Sequence, residues 1–199
     1  HGPEARGPQD HGHGPGRRLG PAGKNIKNCE FAIEAMKKPV PFNPVSIGSA
    51  INTTEDEYWP SITADGQKFM FTRQSRSNYY SYTGGNSQED FYLSFVSDTG
   101  WSTAVNAGEP LNTKQNEGAQ TLSSSGNYMY FTACDRPGGL GSCDIYFSAY
   151  NDDRWSLPYN LGVPVNSSSW ESTPSISADG NILFFSISRT GGIGVKDLW

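Results

Sequence analysis

Histidine is absent from almost the entire chain, because its three copies, His1, His11 and His13, all fall within the first thirteen of 199 residues. A Ser-His-Asp or Cys-His active site, like a histidine-ligated zinc site, needs an imidazole in the folded part of the protein. Because residues 14–199 contain no histidine, all three kinds of site are excluded there. Three cysteines are too few for a cysteine-ligated zinc site, so we expect no metal and no cofactor.

Long apolar runs and aliphatic side chains are also scarce. Leu, Ile, Val and Phe together make up 36 of 199 residues, and no stretch reaches the roughly 18 apolar residues with which a helix spans a bilayer. The 25 aromatic residues supply buried area in their place, while 23 Gly and 13 Pro indicate many turns. This composition predicts an aromatic-rich, turn-rich all-β protein.

The first 44 residues differ in character from the rest. Residues 1–25 contain seven Gly and four Pro with almost no apolar residue, which predicts a disordered tail. Residues 26–44 are predicted to form a short amphipathic helix and a Pro-rich linker, because apolar side chains recur at spacings of three and four. These side chains are Ile26, Cys29, Ile33 and Met36, and the prolines that end the helix are Pro39 and Pro41.

The remainder of the chain is acidic. Residues 45–199 contain eight Lys or Arg and sixteen Asp or Glu, a formal charge of −8. Nucleic acids and anionic lipid surfaces attract basic patches, which this segment lacks. We therefore expect no nucleic-acid partner and no insertion into a membrane.

An internal repeat organises residues 45–199, with copies that start near residues 48, 108 and 162. A Gly, an Asn, a Glu, a second Gly and a Phe recur at offsets of 60 and then 54 residues, which excludes chance similarity. The first three are Gly48, Gly108 and Gly162; Asn52, Asn112 and Asn166; and Glu57, Glu117 and Glu171. The others are Gly66, Gly126 and Gly180, and Phe71, Phe131 and Phe185.

Each copy predicts four short strands joined by turns. The first strands end at Ala-Asp-Gly or Ser-Ser-Gly, where glycine suits a tight hairpin turn. Aromatic-rich second strands follow, then third strands that begin at a repeated Asp, and Trp101 or Trp155 opens the fourth. Four strands in 54 to 60 residues are typical of a propeller blade.

The hairpin sequences PSITADG and PSISADG and the strand CDIYFS carry a family resemblance. They resemble the WD40-like β-propeller repeat of the TolB type. The longer segments FTACDRPGGLGSCDIY and NCEFAIEAMKKPVPFNP are similar to the propeller of Bacteroidetes outer-membrane-associated proteins that end in an OmpA-like peptidoglycan-binding domain. This group includes the peptidoglycan-anchored lipoprotein of the type IX secretion system.

The resemblance covers residues 26–199 and implies a partial propeller of about two and a half to three four-stranded blades, preceded by the last helix of a helical repeat domain. The third copy stops at Trp199 before its fourth strand, and no OmpA-like domain follows, so we expect the natural protein to be longer. The resemblance also implies a periplasmic, outer-membrane-associated location. Peptidoglycan would be bound only through a domain absent from this sequence.

Acidic residues recur once in every copy, and a pair of carboxylates is what glycoside hydrolysis requires. Catalysis, however, needs an acid and a nucleophile in different environments, whereas a carboxylate at the same place in every copy is typical of a cap on backbone amides. We therefore expect a structural role for the repeated Glu57, Glu117 and Glu171, for Asp90, Asp144 and Asp197, and for Trp101 and Trp155 packed between blades.

The cysteines suggest a disulfide. Cys134 and Cys143 flank the loop DRPGGLGS at the ends of two predicted antiparallel strands, an arrangement that suits a disulfide. We expect the bond in an oxidising compartment such as the periplasm, and we expect Cys29 to be buried as a small apolar residue.

Aromatic residues that break the repeat are candidates for a partner surface, because exposed Tyr and Trp anchor protein interfaces. They are Trp59 and Trp170 beside the repeated Glu positions, and Tyr79, Tyr80 and Tyr82 in the longest loop.

The sequence therefore favours a non-catalytic interaction module in a periplasmic, outer-membrane-associated protein, with envelope or secretion-complex proteins as partners. The alternative is the propeller of an envelope hydrolase, either a glycan hydrolase or a tricorn-like peptidase. Asymmetric carboxylates in a deep pocket would favour the hydrolase, and a uniform acidic channel would favour the scaffold.

Overall fold

The computed structural model describes residues 21–76 and 87–199. The chain divides into two compact units, one ending at Val45 and the other spanning Ser46–Trp199. The second unit is built from antiparallel strands, so the described chain is all-β apart from one helix, as its composition predicts.

Helix α1 spans Pro21–Met36 in the first unit. Its start lies ahead of the boundary expected from composition, because residues 21–25, assigned to the disordered tail, are helical. Proline is favoured in the first turn of a helix, since its missing N–H would have no acceptor there. Cys29, which we expected to be buried, is exposed. The rest of the tail, residues 1–20, lies outside the described residues.

Three antiparallel sheets follow one another along the second unit. The first contains β1 (Asp56–Ile62), β2 (Lys68–Arg76), β3 (Ser87–Ser97), β4 (Gly100–Trp101) and β5 (Val105–Asn106). The second contains β6 (Glu117–Leu122), β7 (Tyr128–Cys134), β8 (Cys143–Asn151), β9 (Arg154–Trp155) and β10 (Tyr159–Asn160). The third contains β11 (Glu171–Ile176), β12 (Leu183–Ile187) and β13 (Asp197–Leu198).

The sequence repeat is also a structural repeat, because equivalent residues hold equivalent places in the sheets. The repeated Asp of each third strand pairs with the same position of the second strand; the pairs are Asp90 with Arg73, Asp144 with Ala133, and Asp197 with Ile187. The fourth strand expected in the first two copies is divided in two. The first part, β4 or β9, contains the repeated Trp and pairs with the end of the third strand. The second part, β5 or β10, pairs with an earlier stretch of the same third strand.

The first strand of every sheet contains a bulge at the same place. The pairing of β1 with β2 shifts after Tyr58, and the corresponding shifts follow Gly118 in β6 and Ser172 in β11. The residue after each shift has a positive φ: 53° at Trp59, 51° at Ala119 and 52° at Thr173. This left-handed backbone is uncommon for any side chain and strained for bulky or β-branched ones.

Successive sheets pack face to face through their first strands. Strand β6 lies against β1, β2 and β3, and β11 lies against β6, β7 and β8. Buried apolar side chains between the first two sheets form a hydrophobic core cluster, namely Met70, Phe91, Leu93, Leu111, Leu122, Met129, Phe131, Ala133 and Tyr146. Backbone N–H groups also cross between sheets, since Leu122 donates to Ser61 Oγ and Ile176 donates to Thr121 Oγ1.

In the second and third copies, the repeated asparagine ties its loop to the preceding sheet. Asn166 is fully buried, and its side-chain amide both accepts from Ile145 N and donates to Ile145 O, each at 2.8 Å. Asn112 forms the same pair of bonds with Phe91. These amides fasten the start of one repeat to the third strand of the preceding repeat.

Candidate functional site

The repeated glutamates close the loop that precedes the first strand of their sheet. Glu117 accepts hydrogen bonds from Thr113 Oγ1 at 2.6 Å and from Thr113 N at 3.1 Å. Glu171 makes the same two bonds with Ser167, and Glu57 makes the equivalent pair in the first copy. Glu117 and Glu171 have no solvent exposure. Each carboxylate thus holds a backbone amide and a hydroxyl of its own loop.

Two of these glutamates bind an arginine, and the two arginines occupy non-equivalent positions of the repeat. Arg73, directly opposite Glu57 in the β1–β2 pair, donates to it from Nε at 2.9 Å. Arg136 lies in the loop after β7 and donates to Glu117 from Nη2 at 3.0 Å. Each of these arginines also donates to a backbone carbonyl, Arg73 to that of Ile51 and Arg136 to that of Leu111. In the third copy Arg189 donates to the equivalent carbonyl of Val165. The sequence repeat did not reveal these arginines, because loop length shifts their alignment.

Burial dominates the electrostatics of Glu117. It raises the pKa of the carboxyl above its ordinary value, while hydrogen bonds from Thr113 and the charge of Arg136 pull the pKa in the opposite direction. The Glu117 carboxyl is inaccessible to solvent, and Thr113 and Arg136 already bind its oxygens. Its chemistry is that of a structural ion pair.

The repeated Asp144 and Asp197 bind backbone amides. Asp144 accepts from Leu140 N at 2.8 Å, and Asp197 accepts from Gly194 N at 3.0 Å. Among the described residues, Asp90 accepts from the side-chain amides of Gln88 and Asn106. Asp144 and Asp197 therefore hold the Gly-rich loops that precede their strands.

Cys134 and Cys143 form a disulfide across directly opposed positions of β7 and β8. The loop between them touches the next repeat, because a Cβ added at Gly141 would lie 1.9 Å from Ser169 O. Cys143 also pairs with Trp170 in an isolated parallel bridge. The disulfide thus fixes a loop and a strand end that both lie against the segment before β11.

A cleft of about 180 Å³ lies beside this disulfide, lined by residues of all three sheets. Trp59 of β1 and Trp170, which directly precedes β11, both line it. Gly118 and Ala119 of β6 also line it, together with Thr132 and Ser172. Two of the aromatic residues predicted as a partner surface are therefore brought together, although 111 residues separate them in the sequence.

The cleft exists because the repeat is broken at its lining positions. Trp59 is equivalent to Ala119 and Thr173, so a large ring in the first copy replaces the small side chains of the other two. Trp170 is equivalent to Asn116. Space at Gly118 is tight, since an added Cβ would lie 3.3 Å from both Thr72 Cγ2 and Oγ1.

Gln120 holds the strained backbone of Trp59. Its buried side chain donates from Nε2 to Trp59 O at 2.6 Å, and its Oε1 accepts from Thr72 Oγ1 at 3.0 Å. The same positive φ recurs in all three copies, so the strained backbone is a property of the repeat and the Gln120 contact is what distinguishes Trp59. Gln120 had no sequence signal, because the other two copies have Pro60 and Pro174 at this position.

Glu89 and Asn116 give the cleft a polar side. Asn116 Oδ1 accepts from Glu89 N at 3.0 Å, and the hydroxyl of Tyr58 donates to Glu89 Oε1. Burial raises the pKa of Tyr58, and the Glu89 carboxylate raises it further. The hydroxyl therefore remains a donor to Glu89 at physiological pH.

The other predicted residues lie away from the cleft or outside the described chain. The Trp101 ring packs on Phe69 of its own sheet, with ring centroids 5.4 Å apart, and Trp155 packs on Tyr150 at 5.0 Å. We expected both tryptophans to pack between blades. Trp155 also packs against the core cluster between the first two sheets, whereas this ring contact of Trp101 lies within its own sheet. Tyr79, Tyr80 and Tyr82 lie outside the described residues.

Among residues 21–76 and 87–199, no group of three or more His, Cys, Asp or Glu side chains is arranged to hold a metal ion. No helix in the same ranges has the length and apolar character needed to cross a membrane. No protein-family model matches the chain, and no curated protein has significant similarity to it.

Proposed function

We propose that the second unit is a segment of a β-propeller and acts as a non-catalytic protein-interaction module. Three features support the propeller: antiparallel sheets in chain order, equivalent strand registers, and packing of each first strand on the preceding sheet. Propellers are built from such four-stranded sheets repeated around a centre. The TolB-type resemblance of the hairpin sequences agrees with this architecture.

The cleft between Trp59 and Trp170 is the observation that carries the interaction role. Trp59 is 45% exposed although its backbone is strained, and the Gln120 side chain holds it in place. Tryptophan is among the residues that most often dominate protein interfaces, and Trp170, half-buried, lines the same cleft. The partner surface is therefore assigned to the place where the repeat is asymmetric.

The repeated carboxylates favour the interaction module over the hydrolase alternative. A glycosidase acid and nucleophile must both reach the substrate. Glu117 and Glu171 are fully buried and bonded to their own loops, and the lining of the aromatic cleft contains Glu89 as its acidic residue. We therefore assign no catalytic residue.

A periplasmic, outer-membrane-associated location completes the proposal. Its supports are the Cys134–Cys143 bond, which persists in an oxidising compartment, and the resemblance to propellers of OmpA-family and type IX secretion proteins. The partners would then be envelope or secretion-complex proteins. Anchoring to peptidoglycan would fall to a domain outside this sequence.

A peptide-display selection tests the interaction role. A random heptapeptide library is selected on the full chain in its oxidised form and counter-selected on a Trp59→Ala/Trp170→Ala variant. We expect enriched peptides whose affinity falls at least about tenfold in either single variant, the size typical of a tryptophan hot spot. Trp199→Ala is the matched control, because this tryptophan is 51% exposed and lies outside the cleft lining.

The selection separates the outcomes clearly. Peptides that bind the wild-type chain and the double variant equally would contradict an interaction site at the cleft. Unchanged unfolding midpoints of the single variants would show that lost binding reflects the missing ring and not an unfolded domain.

A further inference from the structure

The polar side of the cleft carries negative charge. Glu89 contributes a carboxylate, and Tyr58 donates a hydrogen bond to that carboxylate without neutralising it. Residues 45–199 as a whole hold sixteen acidic against eight basic side chains. A cationic group is therefore attracted both by the unit and by the cleft within it.

The two aromatic sides suit a cation as well. The face of an indole ring carries the negative part of its quadrupole and attracts ammonium and guanidinium groups. Lys196 Nζ already lies 3.5 Å from the centroid of the Trp170 ring, and Lys68 Nζ lies 3.9 Å from that of Tyr150. The chain itself thus places lysines on half-buried aromatic rings, and one face of the Trp170 ring already holds the Lys196 ammonium.

The size of the cleft suits a single side chain. Its volume is about 180 Å³, and Gly118 and Ala119, the smallest of its lining residues, leave room for an occupant. An unbranched aliphatic stem can lie against aromatic rings while its charged end stays at a polar wall. Lysine and arginine have this form, whereas bulky branched side chains do not.

We propose that the cleft between Trp59 and Trp170 binds a lysine or arginine side chain of the partner protein, with its charged end directed to Glu89. The proposal rests on the interaction role assigned above and specifies the chemistry of the occupant. The aromatic rings enclose the aliphatic stem, and Glu89 distinguishes a cation from a neutral side chain of similar length.

Four pentapeptides test this chemistry directly. Acetylated and amidated Gly-Gly-X-Gly-Gly, with lysine, arginine, norleucine or citrulline at X, is titrated into the full chain while the five indole N–H signals are followed by NMR. We expect lysine and arginine to bind at least about tenfold more tightly than norleucine and citrulline, and less tightly as salt rises. Glu89→Gln should remove this preference, and Glu109→Gln, an exposed carboxylate outside the cleft lining, should retain it.

Each other outcome overturns the proposal. Equal binding of lysine and norleucine would assign the cleft to apolar side chains, and binding of chitotriose in preference to every peptide would assign it to carbohydrate. Failure of all four pentapeptides to shift Trp59 and Trp170 would reject a basic side chain as the occupant. Peptides from the display selection that need the cleft for binding but contain no Lys or Arg would also reject a basic occupant. That result would leave the proposed interaction role standing.

Discussion

Arg136 and Glu117 form an ion pair almost completely withdrawn from solvent, with side-chain exposures of 9% and 0%. The pair joins the loop after β7 to the start of β6, and Arg136 also bonds to the Leu111 carbonyl in the loop before β6. A charge buried in this way depends on its partner, because solvent cannot replace it. The ion pair therefore ties three segments of the second sheet together.

Arg136→Met is expected to destabilise the fold by about 3–5 kcal/mol at neutral pH, because it leaves the Glu117 carboxylate buried without a counter-charge. The loss should shrink toward pH 4.5, the ordinary pKa of the carboxyl. Burial raises the folded-state pKa of Glu117, and loss of Arg136 raises it further. The folded variant then binds more protons than the unfolded chain above pH 4.5, so its unfolding free energy falls as pH rises.

Urea unfolding from pH 4.5 to 7.5 checks this dependence. Arg154→Met is the control, because Arg154 is exposed at the start of β9. A difference between wild type and Arg136→Met that does not change with pH would contradict the assigned role of Glu117.

Asn166→Ala is expected to cost about 1–3 kcal/mol, because the buried Ile145 N–H loses its acceptor, while Ile145 O keeps its bond from Leu161 N. Asn52→Ala provides a matched control at the equivalent position of the first copy. Asn52 is exposed and bonds to Ser46 Oγ, so its replacement should cost less than about 0.5 kcal/mol. Similar unfolding free energies for the two variants would refute the role of the repeated asparagine as a tie between sheets.

The cysteines should react unequally. Iodoacetamide applied to the native chain is expected to label exposed Cys29 and to leave Cys134 and Cys143 unlabelled until a reductant is added. Replacing both bonded cysteines by serine should lower the unfolding free energy by about 2–3 kcal/mol, since the bond restricts the unfolded chain. Intact-mass measurement that finds three labelled thiols in the native, unreduced protein would contradict the disulfide.

Thr173→Gly is expected to stabilise the fold by about 0.5–1 kcal/mol, because a β-branched residue at φ 52° is strained and glycine is not. Ser175→Gly, at an exposed position of the same strand without a positive φ, should destabilise by a similar amount. Thermal unfolding of the two variants measures both changes. Equal destabilisation by the two glycines would mean that the bulge in β11 carries no strain.

The sequence predicts much of the local structure because the repeat makes it redundant. Equivalent Glu and Asn residues mark the same loop in each copy, and glycine marks the same hairpin turn. It does not predict Arg136 as a partner of Glu117, since Arg73 performs the same task from within a strand and Arg136 from a loop. Where a side chain reaches the same carboxylate from a different position, alignment of identical residues gives no signal.

The cleft shows a second limit of the sequence. Trp59 and Trp170 were recognisable as departures from the repeat, but they occupy different repeat positions in copies that are not adjacent. Their proximity follows from the packing of three sheets and from the small side chains of β6 between them. The roles of Gln120 and Glu89 depend on contacts between sheets, which single-strand patterns do not contain.

A double-mutant cycle on Trp59 and Trp170 tests the central claim, that both rings belong to one binding site. The affinity of a display-selected peptide is measured for the wild-type chain, for Trp59→Ala, for Trp170→Ala and for the double variant. Each single change should weaken binding at least about tenfold, and the double variant should bind little more weakly than either one, because the rings act on the same side chain. Losses that simply add, or single variants that bind as well as wild type, would contradict a shared cleft.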